Sequence, residues 1–345
     1  MADLSIQYLG MKLKSPIILG SSGLSGTLTE VRHASESGVG AIVLKSIFEE
    51  QIQFEIENYI NHETSKNDNP FQKGYDALLE EREYEFEMAS AYLKDHAKEQ
   101  TLGKYLTFIS DCKKAVDVPI IASINCTSAY NWHYFARKIE EAGADALELN
   151  IFVLPSNILS NSAENEKLYF DIISAVKKQV KIPVTLKIGY YFSNLATTVI
   201  DLSKTGIDGL VLFNRPFHPD INIDTFVVDA KYLLSDPSEY SNILRWMAIL
   251  SSRVSCPLVA STGIHSAQTA IKQILTGATA VQVVSVVYKD GFKIVDSINQ
   301  GISNYMEKNN FKTISDFRGK MSQSNITNPA DFERVQFMKL YSKIG

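Results

Sequence analysis

Eight short apolar runs, each of strand length, recur along this chain with helical patterns between them, and that rhythm sets its fold class. The runs are Ile17–Leu19, Ala41–Leu44, Pro119–Ser123, Ala146–Leu149, Val184–Leu186, Gly209–Phe213, Leu258–Ala260 and Val281–Val284. Apolar residues at helical spacing predict helices over about 29–37, 132–142, 169–179, 195–204 and 265–275. Eight such units favour a closed TIM (β/α)8 barrel over an open doubly wound sheet, within the α/β class. Leu4 to Tyr8 alternate, Gly10 turns and Met11 to Leu13 return, which predicts a short N-terminal hairpin closing the barrel bottom. The segments Gly143-Ala144-Asp145-Ala146 and Gly206-Ile207-Asp208-Gly209 read as repeated helix-to-strand returns.

One segment interrupts the rhythm. After the second strand, residues 49–100 are polar, rich in Glu and Tyr, with an exposed helical pattern over Tyr75–Lys98. A connection of this length on the strand-end face reads as a lid or an interface element, and the stretch Glu49–Asn69 as a mobile cover. The 345 residues, 45% of them hydrophobic, suit one large barrel domain over 1–345 with this insertion. A net charge of -5 without a basic run gives no case for nucleic acid. Cys112, Cys126 and Cys256 lack metal-ligand spacing, so no metal is expected and a reducing compartment fits. No stretch reads as a signal peptide or a bilayer span, so the expectation is a cytoplasmic protein with no membrane partner. A small-molecule substrate is expected, with a homodimer as the candidate assembly.

The polar residues at the strand ends carry the chemistry. Ser22 follows the first strand, Lys45 the second, Asn125 the third and Asn150 the fourth. Lys187 ends the fifth and Asn214 follows the sixth. Strand ends on that face of a barrel converge, so these groups are expected to share a pocket. Two lysines buried there call either for an anionic or electron-rich ligand or for a carboxylate such as Glu148. The last two strands end in Ser261-Thr262-Gly263 and in Ser285. Their backbone N–H groups read as a phosphate cradle, or as ordinary turn chemistry in a βαβ unit. His218, Arg215, Tyr190 and Tyr191 stand near these ends as candidate acids, bases or packing groups, and Cys126 reads as a structural thiol.

At these residues the chain resembles the flavin-binding barrels of the dihydroorotate dehydrogenase family, including the related domain of dihydropyrimidine dehydrogenases. Ser21-Ser22-Gly23 is similar to the family's Ala-Ser-Gly turn and Leu44-Lys45-Ser46 to its Thr-Lys-Ser. Ala122-Ser123-Ile124-Asn125-Cys126 and the run from Gly143 to Asn150 resemble the dihydropyrimidine branch. Lys187, Asn214, Ser261-Thr262-Gly263-Ile264 and Val283-Val284-Ser285 fall at matching places, and Ile314 to Lys320 resembles a family ending. The family's phosphate turn is usually Thr-Gly-Gly-Ile.

The resemblance implies FMN, with its phosphate at Thr262, Gly263 and Ser285 and its ring near Ser22, Gly23, Lys45, Asn125, Asn150, Lys187 and Asn214. It implies Lys187 beside the N1–C2=O edge and hydride transfer between a planar heterocycle and flavin N5, as in an oxidoreductase acting on CH–CH bonds. Lys45, Asn150, Asn214 and Ser156 are the implied catalytic set. The catalytic loop departs from the family's Asn-Leu-Ser-Cys-Pro-Asn: here Leu154 precedes Pro155 where the proton-accepting cysteine or serine belongs, and Ser156 is the nearest hydroxyl. The orotate-binding Asn-x-Met-Gly-Leu-Pro-Asn is missing after the second strand, and Arg215-Pro216-Phe217-His218-Pro219 replaces a glycine-rich turn. Two other readings stay open: a flavin-binding relative without dihydroorotate chemistry, and a phosphate-handling lyase or synthase using Lys187 as nucleophile.

Overall fold

The computed structural model describes residues 2–48, 102–125, 132–216, 218–230 and 234–334. The expected insertion over 49–100, its helix over Tyr75–Lys98, Cys126 and Phe217 lie outside the described residues. Eight parallel strands close into a barrel: β3 (Ile17–Leu19), β4 (Ala41–Val43), β6 (Ile120–Asn125), β7 (Ala146–Ile151), β8 (Val184–Ile188), β9 (Gly209–Leu212), β12 (Leu258–Ser261) and β13 (Ala280–Val283). The circuit closes because β13 pairs with β3 and β4 pairs with β6. A two-residue strand, β5 (Ile47–Phe48), extends the pairing on β6. This is the TIM barrel expected from the eight apolar runs, with no strand bound shifted by more than two residues.

The strands follow a period of two. Side chains from β7, β8 and β13 meet across the barrel at Glu148, Lys187 and Gln282, so these alternate positions face inward. Their neighbours Leu149, Leu186 and Val283 are buried as well, which a strand covered on both faces requires. Helices cover the outside, among them Leu28–Glu36, a helix over 102–115, Trp132–Glu141, Ser162–Lys177, Leu195–Ser203, Tyr240–Leu250, Ala267–Leu275 and Lys293–Lys308. No helix among the described residues is long and apolar enough to cross a membrane.

Two returns explain their own sequences. Gly143 and Gly206 adopt φ +91° and +86°, which carries each chain from helix to strand. Two residues on, Asp145 accepts hydrogen bonds from Ile120 N (2.7 Å) and Lys113 Nζ (2.6 Å). Asp208 does the same with Val184 N (2.8 Å) and Lys177 Nζ (2.7 Å). Each aspartate therefore satisfies the first N–H of the neighbouring strand and pins the helix before it.

The helix predicted over 169–179 starts seven residues earlier, at Ser162, where Asn161 and Glu164 form a capping box. Its first two turns are polar and carry no apolar period. After β9 the chain adds an antiparallel hairpin, β10 (Pro219–Asn222) with β11 (Val227–Ala230), that the sequence did not signal. Ile221, Ile223, Phe226 and Val228 on it are exposed.

The N-terminal hairpin, β1 (Ile6–Tyr8) with β2 (Met11–Leu13), is formed as expected. Tyr8 is buried, and its hydroxyl shares a 3.0 Å hydrogen bond with Thr185 on β8. The tyrosine fits because position 209 is glycine: a Cβ there would stand 3.1 Å from both the ring and the hydroxyl of Tyr8. Tyr8→Phe is therefore expected to cost about 1 kcal/mol of unfolding free energy. Tyr8→Ala is expected to cost about 3–5 kcal/mol through the cavity it leaves. Equal losses in urea titrations of the two variants would show that the hairpin does not plug the barrel.

Candidate functional site

A cavity of about 310 Å3 opens among the C-terminal ends of the strands, lined by Ser21, Lys187, Asn214, Thr262, Gly263, Gln282 and Ser285, among others. The turn after β12 forms one wall. Thr262 holds φ +84° and Gly263 φ +73°, and the Thr262 hydroxyl donates to Phe213 O at 3.2 Å. Gly263 packs so closely on the start of the helix Tyr240–Leu250 that a Cβ would collide with Tyr240 N. Its N–H and that of Ile264 make no hydrogen bond among the described residues, although both residues are buried. Ser285 and Val286 open the helix Ser285–Asp290 with their own N–H groups free in the same sense. Gly263, Ile264 and Ser285 line the cavity, and backbone donors without acceptors there fit an anionic oxygen cluster such as a phosphate.

Ser235 closes this wall. Its N–H donates to Ser285 Oγ (2.9 Å), its hydroxyl meets His265 Nε2 (3.0 Å), and its carbonyl accepts from Lys289 Nζ (3.2 Å). Burial, with the charge of Lys289, holds the His265 imidazole below its usual pKa. Sequence reasoning missed Ser235, which lies on no periodic run.

Lys187 stands at the floor, its side chain only 8% exposed. Its Nζ donates to Gln282 Oε1 at 2.9 Å, and Gln282 Nε2 donates to Glu148 Oε2 at 2.6 Å. Glu148 Oε1 lies 4.0 Å from Nζ, so the expected carboxylate partner is present alongside the cavity. Gln282 was also missed, yet it is the one polar residue in the run Val281–Val284 and its inward parity is readable. Lys45 departs from the expectation of two buried lysines: it is exposed, its side chain lying beside Gly26, and the buried residue at this strand end is Ser46.

Asn150 and Asn214 are brought together as expected. Asn214 Nδ2 donates to Asn150 Oδ1 at 2.7 Å, which leaves the Asn150 NH2 group, one N–H of Asn214 and the Asn214 carbonyl for a ligand. At the first strand end it is Ser21 that lines the cavity, its hydroxyl linked to Ser46 (3.0 Å) and through it to Ser123 (2.7 Å). Ser22 is half-buried with its hydroxyl turned to Gly20 O, Gly23 is exposed, and Asn125 is half-buried at the end of β6. None of these three lines the cavity.

The loop after β7 turns outward. Leu154 is 57% exposed and Ser156 is exposed, with Ser156 N donating to Leu154 O at 2.8 Å. Neither lines the cavity of Lys187. Tyr190 stands between two further spaces, one of about 320 Å3 with Val153, Pro155 and Tyr169 and one of about 270 Å3 with Asn214, Arg215 and His218. Burial first, then the hydrogen bond to Tyr191, holds its phenol above the usual value. Arg215 is paired with Glu239 at 3.0 Å and His218 is exposed. Burial pushes the thiols of Cys112 and Cys256 up to about 12, so neither is a nucleophile at neutral pH.

The family model described as dihydroorotate dehydrogenase matches residues 3–306. The catalytic subunit of dihydroorotate dehydrogenase B (NAD(+)) from Pyrococcus abyssi is 26% identical over 324 residues, covering 92% of this chain and 98% of that protein. Its counterpart from Methanocaldococcus jannaschii is 26% identical over 317 residues, covering 89% and 94%. The NAD-dependent dihydropyrimidine dehydrogenase subunit PreA of Escherichia coli is 23% identical over 346 residues, covering 96% and 80%.

Thr262 provides a test of the turn. A β-branched residue at positive φ costs about 1–3 kcal/mol, partly offset here by its hydroxyl bond to Phe213 O. Thr262→Gly is expected to change stability by less than about 1 kcal/mol, since released strain and added chain entropy oppose each other. Thr262→Val keeps the strain and loses the bond, so a drop of about 1 kcal/mol or more is expected in thermal unfolding. A Val variant as stable as wild type would show that the hydroxyl does not hold the turn.

Proposed function

The chain belongs to the dihydroorotate dehydrogenase family, and from that premise we propose that it is an FMN-dependent oxidoreductase with an altered substrate half-site. The observation that carries this reading is that Gly263, Ile264 and Ser285, whose N–H groups make no hydrogen bond among the described residues, line one cavity together with a buried lysine. The first set suits a phosphate, and the lysine suits the electron-rich edge of a ring. When bound, FMN supplies two-electron chemistry at N5.

The chain's own residues would do the rest. Thr262, Gly263 and Ser285 would hold the phosphate, joined by Ser21 and Ile264 on the same cavity. Lys187 would offer its remaining N–H groups to the ring. Asn150 would present its amide N–H and Asn214 its carbonyl to a planar heterocycle of the dihydropyrimidine kind. Ser22, Gly23, Lys45 and Asn125 belong to the proposed surround of the mouth, and Ser156 is the loop hydroxyl nearest the family's base position. The same proposal includes one domain over 1–345, a cytoplasmic setting, a small-molecule substrate and a homodimer.

The substrate half is where the reading departs from the relatives. Oxidising dihydroorotate removes a proton from C5 as well as a hydride from C6. A missing general base typically costs on the order of 10²–10⁴-fold in rate. Leu154 offers no base, and Ser156 sits on the exposed side of the loop. Lys187 also suits the lyase alternative poorly, since its Nζ is committed to Gln282 and faces the buried Glu148 rather than standing alone in the cavity.

Two experiments test this. Heat release of small molecules from purified protein, followed by mass identification, is expected to yield FMN. Absence of flavin, with no uptake of added FMN, would remove the proposal. In anaerobic stopped flow, dihydroorotate is expected to reduce the bound flavin slowly, and Ser156→Ala is expected to leave that rate unchanged. A rapid wild-type reduction abolished by Ser156→Ala would show that the loop swings its serine into place.

A further inference from the structure

Glu148 has no task in the function proposed above. It is fully buried, and its Oε1 makes no hydrogen bond. A carboxylate left in this state is costly unless a nearby charge balances it. Lys187 on the neighbouring strand is that charge, but the two do not form a close ion pair: Oε1 stands 4.0 Å from Nζ. A direct charge-assisted bond would measure about 2.7–2.9 Å.

Gln282 from β13 fills the place between them. Its two amide ends face opposite chemistries, the carbonyl oxygen taking Lys187 Nζ (2.9 Å) and the NH2 group giving to Glu148 Oε2 (2.6 Å). The amide therefore has one sensible orientation. Nζ has three N–H donors, and one goes to Gln282. The standing-off carboxylate balances the ammonium without occupying the other two. Lys187 and Gln282 both line the cavity, while Glu148 does not.

We propose that Glu148, acting through Gln282, is a positioning residue that holds Lys187 aimed at the cavity, where it meets the electron-rich edge of a bound ring. The ring is a flavin if the function proposed above holds, and the inference rests on that reading for its ligand. The internal coupling of Glu148 to Lys187 does not.

The test is a two-residue cycle of Glu148→Gln and Lys187→Met, with the double variant, measured in two ways. The first readout is thermal stability of the flavin-free protein. Each single variant leaves one buried charge unbalanced, so the double is expected to melt higher than either single. Additive losses would overturn the coupling. The second readout is the midpoint potential of bound FMN, which compares affinity for the reduced and oxidised forms. Lys187→Met is expected to lower the reduced-to-oxidised affinity ratio by about tenfold, the scale of an opposite charge at close range. Glu148→Gln is expected to lower it too, and to have no effect once Lys187 is Met. A rise in the ratio for Glu148→Gln would mean that the carboxylate acts on the ring directly as an anion, which contradicts the proposal. An equal fall in both backgrounds would mean a merely structural role and also contradicts it. If wild type takes up no flavin, the flavin reading falls by itself, and the stability cycle still decides whether Glu148 serves Lys187.

Discussion

A charge inside a closed barrel has to be balanced from within, and the burial of Lys187 imposes that condition on the strands around it. Glu148, Lys187 and Gln282 come from β7, β8 and β13, and they meet only if all three strands keep their inward parity. A one-residue slip in any of them would send the polar group to the helix side and an aliphatic residue inward. The pairing of Glu148 with Thr185, and of Asn150 with Lys187, records that shared register. The interior is consequently layered. Tyr8 and Thr185 close the bottom, the Lys187 network spans the middle, and the Asn150–Asn214 pair and the Ser21–Ser46–Ser123 hydroxyls stand nearer the mouth. Stability and ligand chemistry draw on the same column of side chains, which is why Glu148 can matter to the site without lining it.

Much of the fold was legible because its signals are local. Each barrel strand is a short apolar run ended by a turn residue, and the Gly-x-Asp returns carry their function in three letters. What escaped notice had no such mark. The helix Ser162–Lys177 begins in polar turns whose only cue is the Asn161–Glu164 cap. The β10–β11 hairpin follows an Arg-Pro segment and leaves apolar side chains exposed, so neither burial nor alternation announced it.

The site was legible in part for a similar reason. Lys187, Asn150, Asn214, Thr262, Gly263 and Ser285 sit on strands or directly at their ends, where period and position fix direction. Ser22 lies three residues past β3 and Lys45 two past β4, on irregular turns where strand parity no longer fixes which side chain turns inward. Ser21 and Ser46 turn inward in their place. Gln282 was readable from parity alone, as a polar residue inside an apolar strand, whereas Ser235 is placed by tertiary structure that no short pattern encodes.

The altered loop after β7 follows from packing as much as from the loss of one functional residue. Gly189, just beyond β8, has no side chain because the Phe152 ring occupies that space: a Cβ would stand 2.7 Å from it. Phe152 in turn meets Tyr191 edge-on at 5.7 Å, and Tyr190 stacks at a tilt on Tyr191 at 4.7 Å. Val153 N donates to the Tyr169 hydroxyl, which fixes the next residue of the loop to the helix Ser162–Lys177. With Phe152 and Val153 both held, the chain has one way to go, and it leads outward through Leu154 and Ser156. Restoring a cysteine at position 154 would therefore supply a base without aiming it at the cavity. Recovering that chemistry requires the aromatic cluster to yield as well, and Gly189 with Phe152 is the contact that would have to change first.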